Sequence, residues 1–107
     1  VDGLNNLGNA FSKIKKFDEA IDYLNKALKL RPNFFEAYYT LSEVFFEKGM
    51  YEESLNKLNK AINLKPDHAI AYNNLGKAFQ EQGKQEKAIE CYKKSISFDR
   101  PPVWRAQ

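Results

Sequence analysis

A chain of 107 residues is long enough for one domain with a core and too short for two. Hydrophobic residues make up 43% and charged residues 29%, which excludes a disordered chain, and no apolar run approaches the roughly 20 residues of a membrane span. The formal net charge of +3 is spread over lysines mixed with Glu and Asp, the pattern of a solvated surface and not of a nucleic-acid face.

The chain opens on Val1-Asp2-Gly3-Leu4, which has neither the basic nor the apolar region of a signal peptide. With no initiator Met, it is expected to be a piece of a longer chain. Leu4, Leu7, Gly8, Phe11 and Ile14 then follow the i, i+3, i+4, i+7 spacing of one helical face and predict a helix over 3–14. Ala20, Ile21, Leu24, Ala27 and Leu28 predict a second helix over 18–30, with Asp18 as its N-cap. Pro32 stops it, because proline lacks an N–H and restrains the residue before it. Asn33 followed by Glu36 has the form of a capping box opening a third helix over 35–48. The same alternation predicts helices over 52–64, 69–82 and 86–98.

These elements repeat at a step of 34 residues: Leu7, Leu41 and Leu75, then Phe11, Phe45 and Phe79, then Pro32 and Pro66. Ala20, Ser54 and Ala88 keep the step, as do Gly49 and Gly83, and Asn5-Asn6-Leu7-Gly8 returns as Asn73-Asn74-Leu75-Gly76. The units run 1–34, 35–68 and 69–102, leaving 103–107 as a tail or the start of a further helix. Their positions resemble the tetratricopeptide repeat (TPR) signature W-x2-L-G-x2-Y, A-x3-F, P. Leu4, Tyr38 and Tyr72 stand at the Trp position, and Leu7-Gly8, Leu41-Ser42 and Leu75-Gly76 at the Leu-Gly pair. The resemblance covers residues 1 to about 100.

That resemblance implies an all-α fold, a right-handed superhelical solenoid of three helix-turn-helix hairpins without a complete C-terminal capping helix. First helices would line a concave face and second helices a convex back. Small residues at Gly8 and Ala20 let paired helices approach; in the second unit Ser42 and Ser54 take those places, and their hydroxyls need partners. Lys15 stands where the other units have Gly49 and Gly83. Without a cap, Ile89, Tyr92, Ile96 and Phe98 are expected to be partly uncovered, and to support a homo-oligomer or be covered by Trp104.

No residues assemble into a catalytic constellation, and no cofactor or metal site is expected. His68 is the one histidine and is placed in a turn, and Cys91 is the one cysteine, so no internal disulfide forms, which fits a reducing compartment such as the cytoplasm. Gly76-Lys77 through Gly83-Lys84 fails as a phosphate loop in glycine spacing and in Gln85, which should be Ser or Thr.

The expected activity is non-catalytic: a protein-interaction module or scaffold holding a partner peptide or helix. By the resemblance, the peptide-lining positions are Asn5, Asn6 and Asn9, then Glu36, Tyr39, Thr40, Glu43 and Phe46, then Ile70, Asn73, Asn74 and Lys77. Asn6 and Asn74 would hold a peptide backbone through their amides, with Thr40 interrupting the ladder. Tyr39 and Phe46 would form an apolar pocket, near Glu36, Glu43 and Glu47. Of the Lys, Asn and Arg set with which family members clamp the acidic C-termini of heat-shock chaperones, only Asn9 is present. Two alternatives stand beside this: a self-assembly unit joined through its repeat ends, and an accessory domain of a longer enzyme or a secretion or assembly factor.

Overall fold

The computed structural model describes residues 1–99. It contains six α-helices: α1 (Asp2–Lys13), α2 (Phe17–Leu30), α3 (Phe35–Glu47), α4 (Tyr51–Leu64), α5 (Ala69–Glu81) and α6 (Gln85–Asp99). They pair as hairpins α1/α2, α3/α4 and α5/α6, and the hairpins stack through α2 on α3 and α4 on α5. The molecule is thus an all-α solenoid of three hairpins. The expected tail and the position of Trp104 lie outside the described residues.

Each hairpin turn ends its first helix in the same way. Lys15, Gly49 and Gly83 have φ of 64°, 79° and 78°. The residue after each donates its N–H back across the turn, Lys16 to the Phe11 carbonyl at 2.9 Å, Met50 to Phe45 at 2.8 Å and Lys84 to Phe79 at 2.9 Å. This is the left-handed cap that satisfies the last carbonyls of a helix, and it suits glycine. Lys15 therefore holds a conformation that costs a side-chain-bearing residue about 1 kcal/mol. Lys15→Gly is expected to be neutral or to stabilise by up to about that amount, and Gly83→Lys to destabilise by a similar one. A clear fall in Tm for Lys15→Gly would contradict the strain.

The helix starts differ from the sequence expectation. Asp18 lies inside the first turn of α2, whose N-cap is Lys16; its carboxylate instead accepts from Lys48 Nζ at 2.9 Å, across to α3. It still opposes the positive end of the α2 dipole. Asn33 makes no capping box either, because the N-cap of α3 is Phe34, one residue later, which has no side-chain acceptor. The stops hold to the proline rule: Arg31 and Lys65, each before a proline, are extended at φ −138° and −134°.

The core forms two clusters. Ala20, Leu24, Ala27, Phe34, Ala37, Leu41 and Val44 join the first hairpin to α3. Leu55, Leu58, Ala71, Leu75, Ala78 and Cys91 join the second hairpin to the third. Leu41 and Leu75 are buried, whereas Leu7, in the same register, is 41% exposed, with no hairpin stacked on it among the described residues. Ile89, Ile96 and Phe98 are likewise exposed at the other end. Tyr92 is half-buried, with its ring against Gly76 and its hydroxyl donating to Gln80 Oε1.

Candidate functional site

Two hollows lie beside the first helices, one touching α3 and α5 and the other α1 and α3. The more enclosed one, of about 180 Å³, sits between α3, α4 and α5 and is lined by Ser42, Glu43, Phe46, Glu47, Ser54, Leu58, Asn74 and Lys77. The more open one, of about 500 Å³, lies between α1 and α3, over Asn9, Ser12, Lys13 and Lys15, and meets the same Glu43 and Glu47. Glu43 and Glu47 stand four residues apart on α3, on one helical face, and so border both.

Part of the lining of the more enclosed cavity is apolar for a specific reason. The Ser42 hydroxyl donates to the Tyr39 carbonyl, and the Ser54 hydroxyl donates to the Ser42 carbonyl at 2.8 Å. Both hydroxyls are spent on backbone, so the serines offer the cavity little polarity, and Leu58 and Phe46 supply carbon surface. In the outer hairpins this level is closed: a Cβ on Gly8 would lie 2.6 Å from Leu24 Cγ, and one on Gly76 2.8 Å from the Tyr92 ring. The cavity thus lies where serines replace the Gly–Ala pair, between the second hairpin and α5.

The rim is charged. Partial burial, and then the neighbouring Glu47, push the Glu43 carboxyl above its ordinary range, while Lys13 and Lys77 pull it back. Lys77 and Asn74 complete the rim from α5.

Tyr39 does not share this cavity with Phe46, which corrects the expected joint pocket. Its ring instead stacks on Phe35 at 5.9 Å and lies 5.6 Å from His68, and its hydroxyl accepts from Asn74 Nδ2 at 2.9 Å. The repeat 2–3 junction claims Tyr39 for packing, and Asn74 spends a donor on it. Thr40 is buried and Asn6 exposed, so Asn6, Thr40 and Asn74 form no continuous ladder. Asn5 is half-buried with its Oδ1 unpartnered among the described residues, Asn73 is half-buried, and Glu36 lies 3.9 Å from Lys65. Ile70 is exposed and borders neither hollow. Asn9, Glu43, Phe46, Asn74 and Lys77 are the candidates that do border them.

His68 is more than a turn residue. Its Nδ1 accepts from the Ala71 N–H at 3.2 Å, capping α5, and its ring packs 4.9 Å from Phe35. Cys91 is buried, and burial pushes its thiol pKa up, the opposite of an activated nucleophile. Ser42, Ser54 and Leu58 escaped the sequence reading as site residues. Their one signal was the paired serine substitution, which marked a departure from the repeat without showing that it opens a cavity.

A TPR repeat family model matches residues 42–83, and a tetratricopeptide repeat model matches residues 1–34 and 69–100. The chain belongs to the tetratricopeptide repeat family, whose fold serves in general as a protein-interaction module. Among solved structures, a crystal structure of MamA superposes with a TM-score of 0.88 at 28% identity, covering 92% of this chain and 57% of that one. The chain therefore spans a little over half of the MamA structure. The N-terminal domain of stress-induced protein-1 (STI-1) from C. elegans gives 0.84 at 28% identity, covering 97% of this chain and 87% of that one. The first TPR of Spaghetti (RPAP3), bound to the HSP90 peptide SRMEEVD, gives 0.86 at 25% identity, covering 90% and 76%. Among curated proteins, none matches the sequence.

Proposed function

We propose that the chain is a non-catalytic interaction module that holds an extended segment of a partner protein along α1, α3 and α5. The observation that carries this is the Phe46-walled cavity of about 180 Å³ with Glu43 and Glu47 on its rim. At about 180 Å³ it has room for a single Leu, Met or Phe side chain, since about 150 Å³ admits one benzene. The carboxylates favour Lys or Arg beside that anchor. The structural neighbour from RPAP3 binds an acidic peptide, SRMEEVD. Here the rim is acidic, and of the chaperone-clamp residues only Asn9 is present.

The test is calorimetric titration with length-matched peptides, one apolar and basic, the other SRMEEVD. The basic peptide is expected to bind with a roughly micromolar Kd, about −8 kcal/mol, and the acidic one at least about tenfold more weakly. Phe46→Ala should weaken the basic peptide. Its affinity should hold above the Glu43 pKa and fall as pH drops through it. Because that pKa is raised, the loss should begin at higher pH than for an ordinary glutamate. Tighter binding of SRMEEVD, untouched by Phe46→Ala, would refute the reading.

A second reading rests on a separate observation. Ile89 and Ile96, seven residues apart and so on one face of α6, are exposed, which supports self-association through that helix.

A further inference from the structure

The more open hollow, between α1 and α3, shares only its acidic wall with the Phe46 cavity. Its lining is polar throughout: Asn9, Ser12, Lys13 and Lys15 from the first hairpin, Glu43 and Glu47 from α3. Two cations and two anions thus border one space of about 500 Å³, and among the described residues none of the four is in an ion pair. Elsewhere opposite charges do close up, as Lys48 does on Asp18 at 2.9 Å. Here the gap keeps them apart, and each charge is left for solvent or a ligand.

Lys15 supplies a second observation. It holds φ 64° where Gly49 and Gly83 stand in the other hairpins, at a cost of about 1 kcal/mol. Lysine has no short polar side chain to offset that cost locally, as asparagine would. Backbone strain of this kind clusters where a side chain serves a ligand. The strained residue is one of the two cations of the hollow, whereas Gly49 and Gly83 border neither hollow.

We infer, building on the function proposed for the Phe46 cavity, that the open hollow binds an acidic side chain of the same partner segment through Lys13 and Lys15. The segment is then of mixed charge: an apolar anchor in the Phe46 cavity, Lys or Arg over Glu43 and Glu47, and Asp or Glu beyond them. The two hollows flank α3, and a helix with its side chains is about 10–12 Å wide. An extended chain advances about 3.3 Å per residue, so the acid lies roughly three or four residues from the anchor. A uniformly basic segment would set like charge against Lys13 and Lys15, so the hollow selects against it.

The experiment is calorimetric titration at low salt with peptides blocked at both ends, so that no terminal charge contributes. Each peptide carries the apolar anchor and its basic neighbour, with a glutamate placed between three and five residues away on either side, and each has a glutamine twin. The best glutamate peptide should bind about two- to five-fold more tightly than its twin, as an exposed ion pair allows, and about 0.5 M salt should erase the difference. Lys15→Gly should bring that ratio towards one while Tm holds or rises; a lysine with a purely structural role would move Tm alone. Lys13→Glu should invert the preference, so that a lysine at the same peptide position outbinds the glutamate. Phe46→Ala should weaken both twins alike. If Phe46→Ala weakens them but the wild type binds them equally, this inference fails and the function proposed for the cavity stands. If neither twin responds to Phe46→Ala, that function fails and this inference with it. A glutamate preference left unchanged by both lysine variants also overturns the assignment.

Discussion

Leu41→Ala should cost about 2–5 kcal/mol of unfolding free energy, the range for a leucine truncated in a packed core. Leu41 has no solvent-accessible surface and sits where α3 meets the first hairpin. The side chains around it come from two hairpins, so collapse around the void requires the stack itself to shift. Leu75→Ala should fall in the same range, since Leu75 is 7% exposed in the second cluster. Leu7→Ala should cost less than about 1 kcal/mol, because much of that side chain remains in water. Urea denaturation of the three variants measures the series. Equal losses at the three leucines would show that position in the repeat, and not burial, decides their worth.

Gly8→Ala should destabilise by about 1–3 kcal/mol despite the better helix propensity of alanine, which is worth about 1 kcal/mol. The added Cβ would lie 2.6 Å from Leu24 Cγ and 3.2 Å from the Ala20 carbonyl oxygen. Leu24 is wholly buried and Ala20 contributes backbone, so neither yields without moving α2. Gly76→Ala makes a useful contrast. The atoms nearest its Cβ would be those of the Tyr92 ring, at 2.8 Å, and that ring belongs to a partly exposed residue that can swing. The loss there should be smaller by at least about 1 kcal/mol. A stabilised Gly8→Ala variant would mean that the two helices separate easily.

Periodicity made the helices legible. All six lie within one residue of the predicted bounds at each end, because the proline stops and the glycine-type turns are local events that one residue type enforces. Asp18 and Asn33 misled for a related reason. A residue type that favours capping says nothing about which neighbour begins the helix, and here the N-cap falls two residues before Asp18 and one residue after Asn33. The site was less legible still. Tyr39 reaches Asn74 across 35 positions of sequence, and no pattern within α3 reveals that its hydroxyl has a partner in the next hairpin. The serine cavity depends on a vacancy, which is a property of the neighbours' shapes: Ser42 and Ser54 displace the close Gly–Ala contact, yet only the placement of Leu58 and Phe46 decides that space is left over.

Burial is unevenly shared along the stack. Helix α3 buries Phe35, Ala37, Thr40, Leu41, Ser42 and Val44, whereas α1 buries Gly8 and α6 buries Ala88 and Cys91. In a solenoid, where each hairpin answers only to its neighbours, such a gradient becomes an order of events. Amide hydrogens of α1 and α6 should exchange with solvent by local opening at low free energy, while those of α3 and α4 wait for the whole molecule to unfold. Refolding would run the other way, outward from the central hairpin, and a binding partner gripping α3 would hold the part of the molecule that is last to come apart.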